Sequence, residues 1–190
     1  CTQAKDSAGS LARLSRVTWP EYPLDEVLER LVVGFERGFV KRICIQVVQC
    51  DDSRATLTRI ISEIKGRLPE VPLSISAAPD SLDSIKEILK AGADMVNLSL
   101  DGSSQSVYEK VKKGSWDRVW SQLTDAAAAF PGRIRTHLIV GLGERERDIA
   151  ETVQRCKDMG IGVGLFAFTP VKGTSLEDKP QPPLTSYRKL

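Results

Sequence analysis

Asn97, Ser99 and Asp101 place a carboxamide, a hydroxyl and a carboxylate at alternate positions of one short run. Alternate side chains of an extended strand share a face. A carboxylate beside a small hydroxyl suits the two hydroxyls of a ribose, because both accept sugar O–H bonds. The competing reading is a strand-to-helix turn in which Asp101 or Ser103 caps the following helix. Further along, Ile139-Val140-Gly141-Leu142-Gly143-Glu144 carries two glycines and an acid. Glycine has no Cβ, so its backbone approaches a flat ring closely; a tight turn after a strand explains the same glycines. A third segment, Val171-Lys172-Gly173-Thr174-Ser175-Leu176, sets Lys172 at a strand end.

The four cysteines, Cys1, Cys44, Cys50 and Cys156, have no metal-ligand spacing among themselves. They also lack the density of a small secreted disulfide scaffold, which points to a reducing, cytoplasmic setting. His137 is the single histidine. Its position on a predicted strand suits a base, a ligand or a hydrogen-bonded structural group. No local signature pairs it with a nucleophile. The formal net charge is +2, and the basic pairs Lys41-Arg42 and Lys112-Lys113 are not runs. Neither nucleic acid nor an anionic membrane is an expected partner. No apolar stretch approaches the roughly 20 residues that span a bilayer.

The elements that hold these residues alternate. Residues 42–49 (RICIQVVQ), 72–77, 94–100, 133–140 and 162–168 are rich in β-branched and apolar residues and predict strands. Residues 24–37, 55–68, 81–90, 116–130 and 145–159 carry apolar stripes at helical spacing. Asp80 or Ser81 caps the third of these helices, and Gly38, Pro69 and Gly160 mark stops. Strand–helix alternation predicts parallel β/α units in one α/β domain over residues 1–190. An open doubly wound sheet and a partial TIM-like barrel both satisfy the pattern. In a parallel barrel, ligands bind at the C-terminal strand ends. Those ends deliver Cys50, Asp51 and Asp52, then Ser76, then Ser99 and Asp101, then Gly141 and Glu144, then Thr169 and Lys172.

Taken in order, Cys1-Thr2-Gln3, the run Asn97 to Asp101, the glycine segment 139–144 and the segment 171–174 resemble the radical S-adenosylmethionine (SAM) enzymes. The biotin synthase-like branch is the most similar, with lipoyl synthase-type sulfur insertion the first choice of reaction. The resemblance implies a partial (β/α) barrel, (β/α)6 in the intact protein, whose first strand precedes this chain. It implies a [4Fe–4S] cluster on a Cys-x3-Cys-x2-Cys motif, with Cys1 as the third ligand and two cysteines upstream. Thiolates are the usual ligands of such clusters. The open iron then chelates SAM, whose reductive cleavage gives a 5′-deoxyadenosyl radical that abstracts hydrogen from substrate. Ser99, Asp101, Ile139, Gly141, Glu144 and Lys172 fall where that family contacts SAM. His137 replaces the first glycine of the family's adenine-side pattern. Lys112 or Lys113 is a cation for the methionyl carboxylate.

The resemblance also implies an electron donor such as ferredoxin or flavodoxin. It implies a small-molecule or lipoyl/biotin-like substrate, free or protein-bound. Biotin synthase holds a second cluster on residues inside the barrel. Here Cys44 falls on such a position, but Arg135 stands where another cysteine belongs. Two other classes remain open: a non-catalytic barrel that binds a nucleotide or partner subunit, and a lyase or aldolase barrel. The last requires a lysine with lowered pKa for Schiff-base chemistry, and Lys172, in a Val-Lys-Gly-Thr turn, is a poor candidate.

Overall fold

Apolar residues on one face of each predicted strand need a cover, and the striped helices supply it. The computed structural model describes residues 13–14, 17–18, 20–47 and 53–185. A short antiparallel pair, β1 (Arg13–Leu14) and β2 (Val17–Thr18), comes first. The main body follows as α1 (Leu24–Glu36), β3 (Ile43–Gln46), α2 (Ser53–Arg67), β4 (Leu73–Ser76), α3 (Leu82–Lys90) and β5 (Met95–Asn97). It continues with α4 (Gln105–Lys112), α5 (Trp116–Ala129), β6 (Ile134–Val140), α6 (Glu146–Asp158) and β7 (Gly162–Ala167).

Strands β3 to β7 form one sheet in the order β3-β4-β5-β6-β7, and every pairing is parallel. Strand order follows chain order without a reversal. A doubly wound sheet reverses at its switch point, so the sheet is the partial TIM-like barrel of the two alternatives. It is a five-stranded half-barrel with its helices outside.

Register explains how the two faces divide. Ile45, Ile75, Val96 and Ile134 occupy one row across four strands. They share a core with Leu57, Ile61 and Ile64 of α2, Ile85 and Ile88 of α3, Leu123 of α5 and Ile149 of α6. The α2 residues recur at the i, i+4, i+7 spacing of a helix that buries one stripe. Ser81 caps α3 by accepting the Ser84 N–H at 3.2 Å. At the N-terminal end of the sheet, Asp94 accepts hydrogen bonds from the Leu73 N–H (2.8 Å) and the Lys65 ammonium (2.9 Å). Burial works against its charge, but those two donors outweigh burial and hold the carboxyl below its ordinary range.

Three features depart from the alternation. The β1–β2 pair precedes α1. Helix α4 stands between β5 and α5, so two helices, not one, connect β5 to β6. The strand expected over 94–100 ends at Asn97. The residues beyond it bulge, and that bulge builds the site.

Candidate functional site

Leu98 N donates to Arg135 O at 2.9 Å, and Asp101 N donates to His137 O at 2.8 Å. Three residues on one side therefore match two on the other, which is the count of a β-bulge. The Thr136 hydroxyl fills the gap. It donates to Leu98 O at 2.6 Å and accepts from Leu100 N at 3.2 Å, fully buried. Pairing resumes where Ile139 N donates to Asp101 O at 2.8 Å. Asp101 itself takes a left-handed backbone (φ 61°), which asparagine and aspartate tolerate better than most residues. The simple alternation that put Asn97, Ser99 and Asp101 on one face is thus broken. The extra residue and the positive φ re-aim Asp101. Gly102 follows because Tyr108 of α4 presses on it: a Cβ there would lie 2.9 Å from the Tyr108 backbone.

Asp101 does not cap α4. Its Oδ2 accepts from Lys112 Nζ at 2.6 Å, and its side chain retains 18% exposure. Helix α4 thus returns its last-turn lysine to the strand end from which the chain set out. Ser103 Oγ is buried without a hydrogen-bond partner among the described residues.

The glycine turn lies two residues past Ile139, on the strand to which Asp101 is bonded, so Asp101 and Gly141 share the C-terminal rim. Gly141 and Gly143 have φ of 103° and 119°, a region that strongly favours glycine. Glu144 holds this turn, accepting from Gly141 N at 2.6 Å and Gly143 N at 2.9 Å. A Cβ on Gly141 would meet Pro182 at 2.8 Å. The neighbour of Gly141 is therefore the 179–183 segment (KPQPP), whose pyrrolidine ring packs against it. Ile139 joins Val107, Leu142 and Phe168 in a small apolar cluster beneath the rim.

The inner face of the half-barrel is polar. Gln46, Ser76, Asn97 and Arg135 stand in one row, ending at Gly162. His137 pairs in register with Gly164 and meets Phe166 edge-on, with ring centroids 4.9 Å apart. Burial pushes the His137 pKa below its ordinary value; Asp101 opposes this and Arg135 adds to it. Cys44 is exposed on this face with Sγ 4.0 Å from Ser76 Oγ. Cys156 is a core residue, and burial pushes its thiol up to about 11.

Ser99 and Lys172 are exposed. Near Lys172, Thr174 Oγ1 donates to Val171 O at 2.6 Å and Gly173 N donates to Glu177 Oε2 at 2.6 Å, which closes the turn. Cys1, Cys50, Asp51 and Asp52 lie outside the described residues. Among the described residues no three of His, Cys, Asp and Glu cluster as a metal site. No helix of the described residues is long and apolar enough to cross a membrane. Lys112 as Asp101's partner and Pro182 on the glycine turn were not legible as contacts. The first depends on the bulge and the intervening helix and the second joins residues far apart in sequence, whereas Arg135's inner-face position agrees with its expected place inside the barrel.

The parallel half-barrel gathers a glycine turn, an acid and a lysine at its C-terminal rim, the end at which parallel barrels bind their ligands. The Radical SAM superfamily model matches residues 1–156, and the chain belongs to that superfamily. A GTP 3′,8-cyclase of Limosilactobacillus fermentum is 24% identical over 166 residues, covering 84% of this chain and 49% of that protein. A lipoyl synthase of Chlamydia muridarum is 27% identical over 142 residues, covering 71% of this chain and 46% of that protein. The crystal structure of HydG, a maturase of the [FeFe]-hydrogenase, superposes with a TM-score of 0.69 at 13% identity, over 90% of this chain and 42% of that one. The chain thus spans less than half the length of these relatives.

Proposed function

We propose that this chain is the SAM-binding part of a radical SAM enzyme and that its C-terminal rim holds the nucleoside of SAM. The observation that carries the reading is the pairing of Asp101 with β6, which sets its carboxylate on the rim that bears Gly141. One Asp101 oxygen is engaged by Lys112, and the other is left to accept a ribose hydroxyl. Ser99, exposed on the bulge, adds a second hydroxyl-bonding group. Gly141, Ile139 and the Glu144-braced turn form the wall for the adenine, with Pro182 packed where a Cβ of Gly141 would project. Lys172, exposed on the neighbouring turn, supplies a cation at the same rim.

The superfamily implies SAM and a [4Fe–4S] cluster. Cys1 is the cluster ligand this chain contributes. When bound, cluster and SAM supply reductive cleavage of the sulfonium. The chain's own part is to orient the nucleoside, keep water from the inner face and position substrate there. An electron donor of the ferredoxin or flavodoxin type completes the system.

For the reaction we favour sulfur insertion of the lipoyl or biotin type, supported by the similarity to lipoyl synthases. The likeness to a GTP 3′,8-cyclase favours a second reading, in which the same rim serves a ring-forming or skeleton-changing reaction. The described inner face offers one thiol, Cys44, so an auxiliary cluster would draw its ligands from elsewhere in the protein. The test is the full natural protein, reconstituted with iron and sulfide and reduced. The expected result is release of methionine and 5′-deoxyadenosine from SAM. No cleavage under reducing conditions would sink the reading. Sulfur incorporation into a lipoyl or biotin precursor separates the first reaction from the second.

A further inference from the structure

Strand register draws one row across the inner face through Gln46, Ser76, Asn97, Arg135 and Gly162. Four consecutive strands contribute a side chain that can donate a hydrogen bond, and none contributes a carboxylate. The fifth contributes a glycine. A Cβ at Gly162 would lie 3.1 Å from Arg135 Cγ and 3.4 Å from its Nε. The arginine stem therefore lies across β7, along the floor of the half-barrel, where a side chain at 162 would crowd it.

Three basic groups packed around the sheet have partners. Lys65 holds Asp94, Lys112 holds Asp101, and Arg133 donates to the Ala93 carbonyl at 2.7 Å. The Arg135 guanidinium has no ion-pair or hydrogen-bond partner among the described residues, its backbone carbonyl being bonded to Leu98 N. His137, next along the same face, has its charged form disfavoured by burial, and Asp101 is already engaged with Lys112. Among the described residues, the inner face thus holds a guanidinium without an acidic partner amid neutral donors. A guanidinium recognises planar or tetrahedral oxyanions through paired N–H donors. Asn97, only 3% exposed, already spends one amide N–H on Ile75 O at 3.4 Å, which fixes its side chain in the row.

We propose that the row closed by Arg135 is a subsite for an oxyanion of the substrate, a carboxylate or a phosphate, seated on the inner face of the half-barrel. The inference rests on the proposed radical SAM reading only in calling that ligand the substrate. The Asp101–Gly141 rim and the Arg135 row lie on β6 at different heights, so the anion anchors one end of a molecule whose other end reaches toward the rim.

The test uses the full natural protein, wild type and Arg135→Gln, with Lys86→Gln, an exposed position of α3, as a surface control. Inorganic phosphate and propionate are titrated separately, followed by phosphorus and carbon NMR line widths. The expected result is saturable binding of at least one anion, weakened tenfold or more by Arg135→Gln and unchanged by Lys86→Gln. The anion that saturates identifies the group. Should Arg135→Gln fail to fold, judged by circular dichroism, Arg135→Lys carries the test. It retains charge but loses the paired donors, and binding several-fold weaker is expected. Wild-type protein that binds neither anion, or variants that bind as wild type does, overturn the subsite. SAM cleavage in the same wild-type samples is scored apart. Binding through Arg135 without cleavage refutes the radical reading and supports the subsite, whereas cleavage without anion binding refutes the subsite alone.

Discussion

Lys112 Nζ sits 2.6 Å from Asp101 Oδ2 and joins the last turn of α4 to the bulge beyond β5. The pair aims the carboxylate while using one of its oxygens. Removing the carboxylate should therefore cost SAM affinity more than removing the lysine. A hydrogen bond to a charged group contributes about 1.5–3 kcal/mol, which corresponds to roughly tenfold to a hundredfold in binding. Asp101→Ala is expected to weaken SAM binding at least tenfold, and Lys112→Gln by less. Equilibrium titration of the reconstituted protein measures both. Equal affinity in Asp101→Ala and wild type would remove Asp101 from the nucleoside site.

Thr136 is the second device that sets Asp101 in place. Its hydroxyl serves Leu98 O and Leu100 N inside the bulge, fully buried. Thr136→Val keeps the shape and deletes the hydroxyl, so two backbone groups lose their partner. Leaving a buried polar group unsatisfied costs about 1–3 kcal/mol. The variant should lose stability in that range by urea unfolding and also lose SAM affinity, because the bulge relaxes. A variant as stable as wild type would mean that water or a backbone shift replaces the hydroxyl.

Glu144 braces the glycine turn with both carboxylate oxygens. Glu144→Gln keeps one acceptor, whereas Glu144→Ala keeps none. The expected order of stability is wild type, then glutamine, then alanine, with the last step about 1–2 kcal/mol at a partly exposed site. Gly141→Ala should be worse than either. It combines a φ of 103° with a Cβ 2.8 Å from Pro182. Pairing it with Pro182→Ala should relieve the contact but not the backbone strain, so recovery is partial. Full recovery in the double variant would show that the strain at Gly141 is negligible.

The sequence made the parallel β/α order legible because period-two and period-3.6 stripes report which face each element buries. Ile75 and Ile61, both fully buried, exemplify the two periods. Helix α4 was missed because its apolar residues, Val107, Tyr108 and Val111, are too few to make a convincing stripe. Asp101 and Gly141 were read as rim residues from the apolar runs they follow; the structure sets both at the C-terminal end of the sheet, Asp101 beyond a bulge after β5 and Gly141 directly after β6. Their partners were not legible. The Lys112 and Pro182 contacts depend on a bulge and on a chain return, and neither leaves a periodic trace. Glu144 carried a visible signal, an acid three residues after a glycine, but composition does not reveal that it bonds to the turn's own N–H groups.

His137 gives the fold a pH dependence of definite sign. Burial lowers its pKa from the ordinary 6.5, with Asp101 opposing and Arg135 reinforcing. Above about 6.5 the histidine is neutral in both folded and unfolded chains and adds no slope. Below that value the unfolded chain binds the proton first, so stability falls as pH falls, until the lower folded pKa is reached. The carboxylates with lowered pKa, Asp94 among them, start from 3.8 and act in a more acidic window. Urea midpoints compared at roughly pH 7.5 and pH 5.5 should drop for the wild-type protein, and His137→Gln should flatten that drop. Gly164 supplies a structural cross-check, because a Cβ there would lie 2.9 Å from His137 Cδ2. Gly164→Ala should destabilise the wild type more than it destabilises His137→Ala, a coupling that a double-mutant cycle reads directly. An identical slope in His137→Gln and wild type would assign the pH response to other groups, and zero coupling would remove the packing of His137 over Gly164.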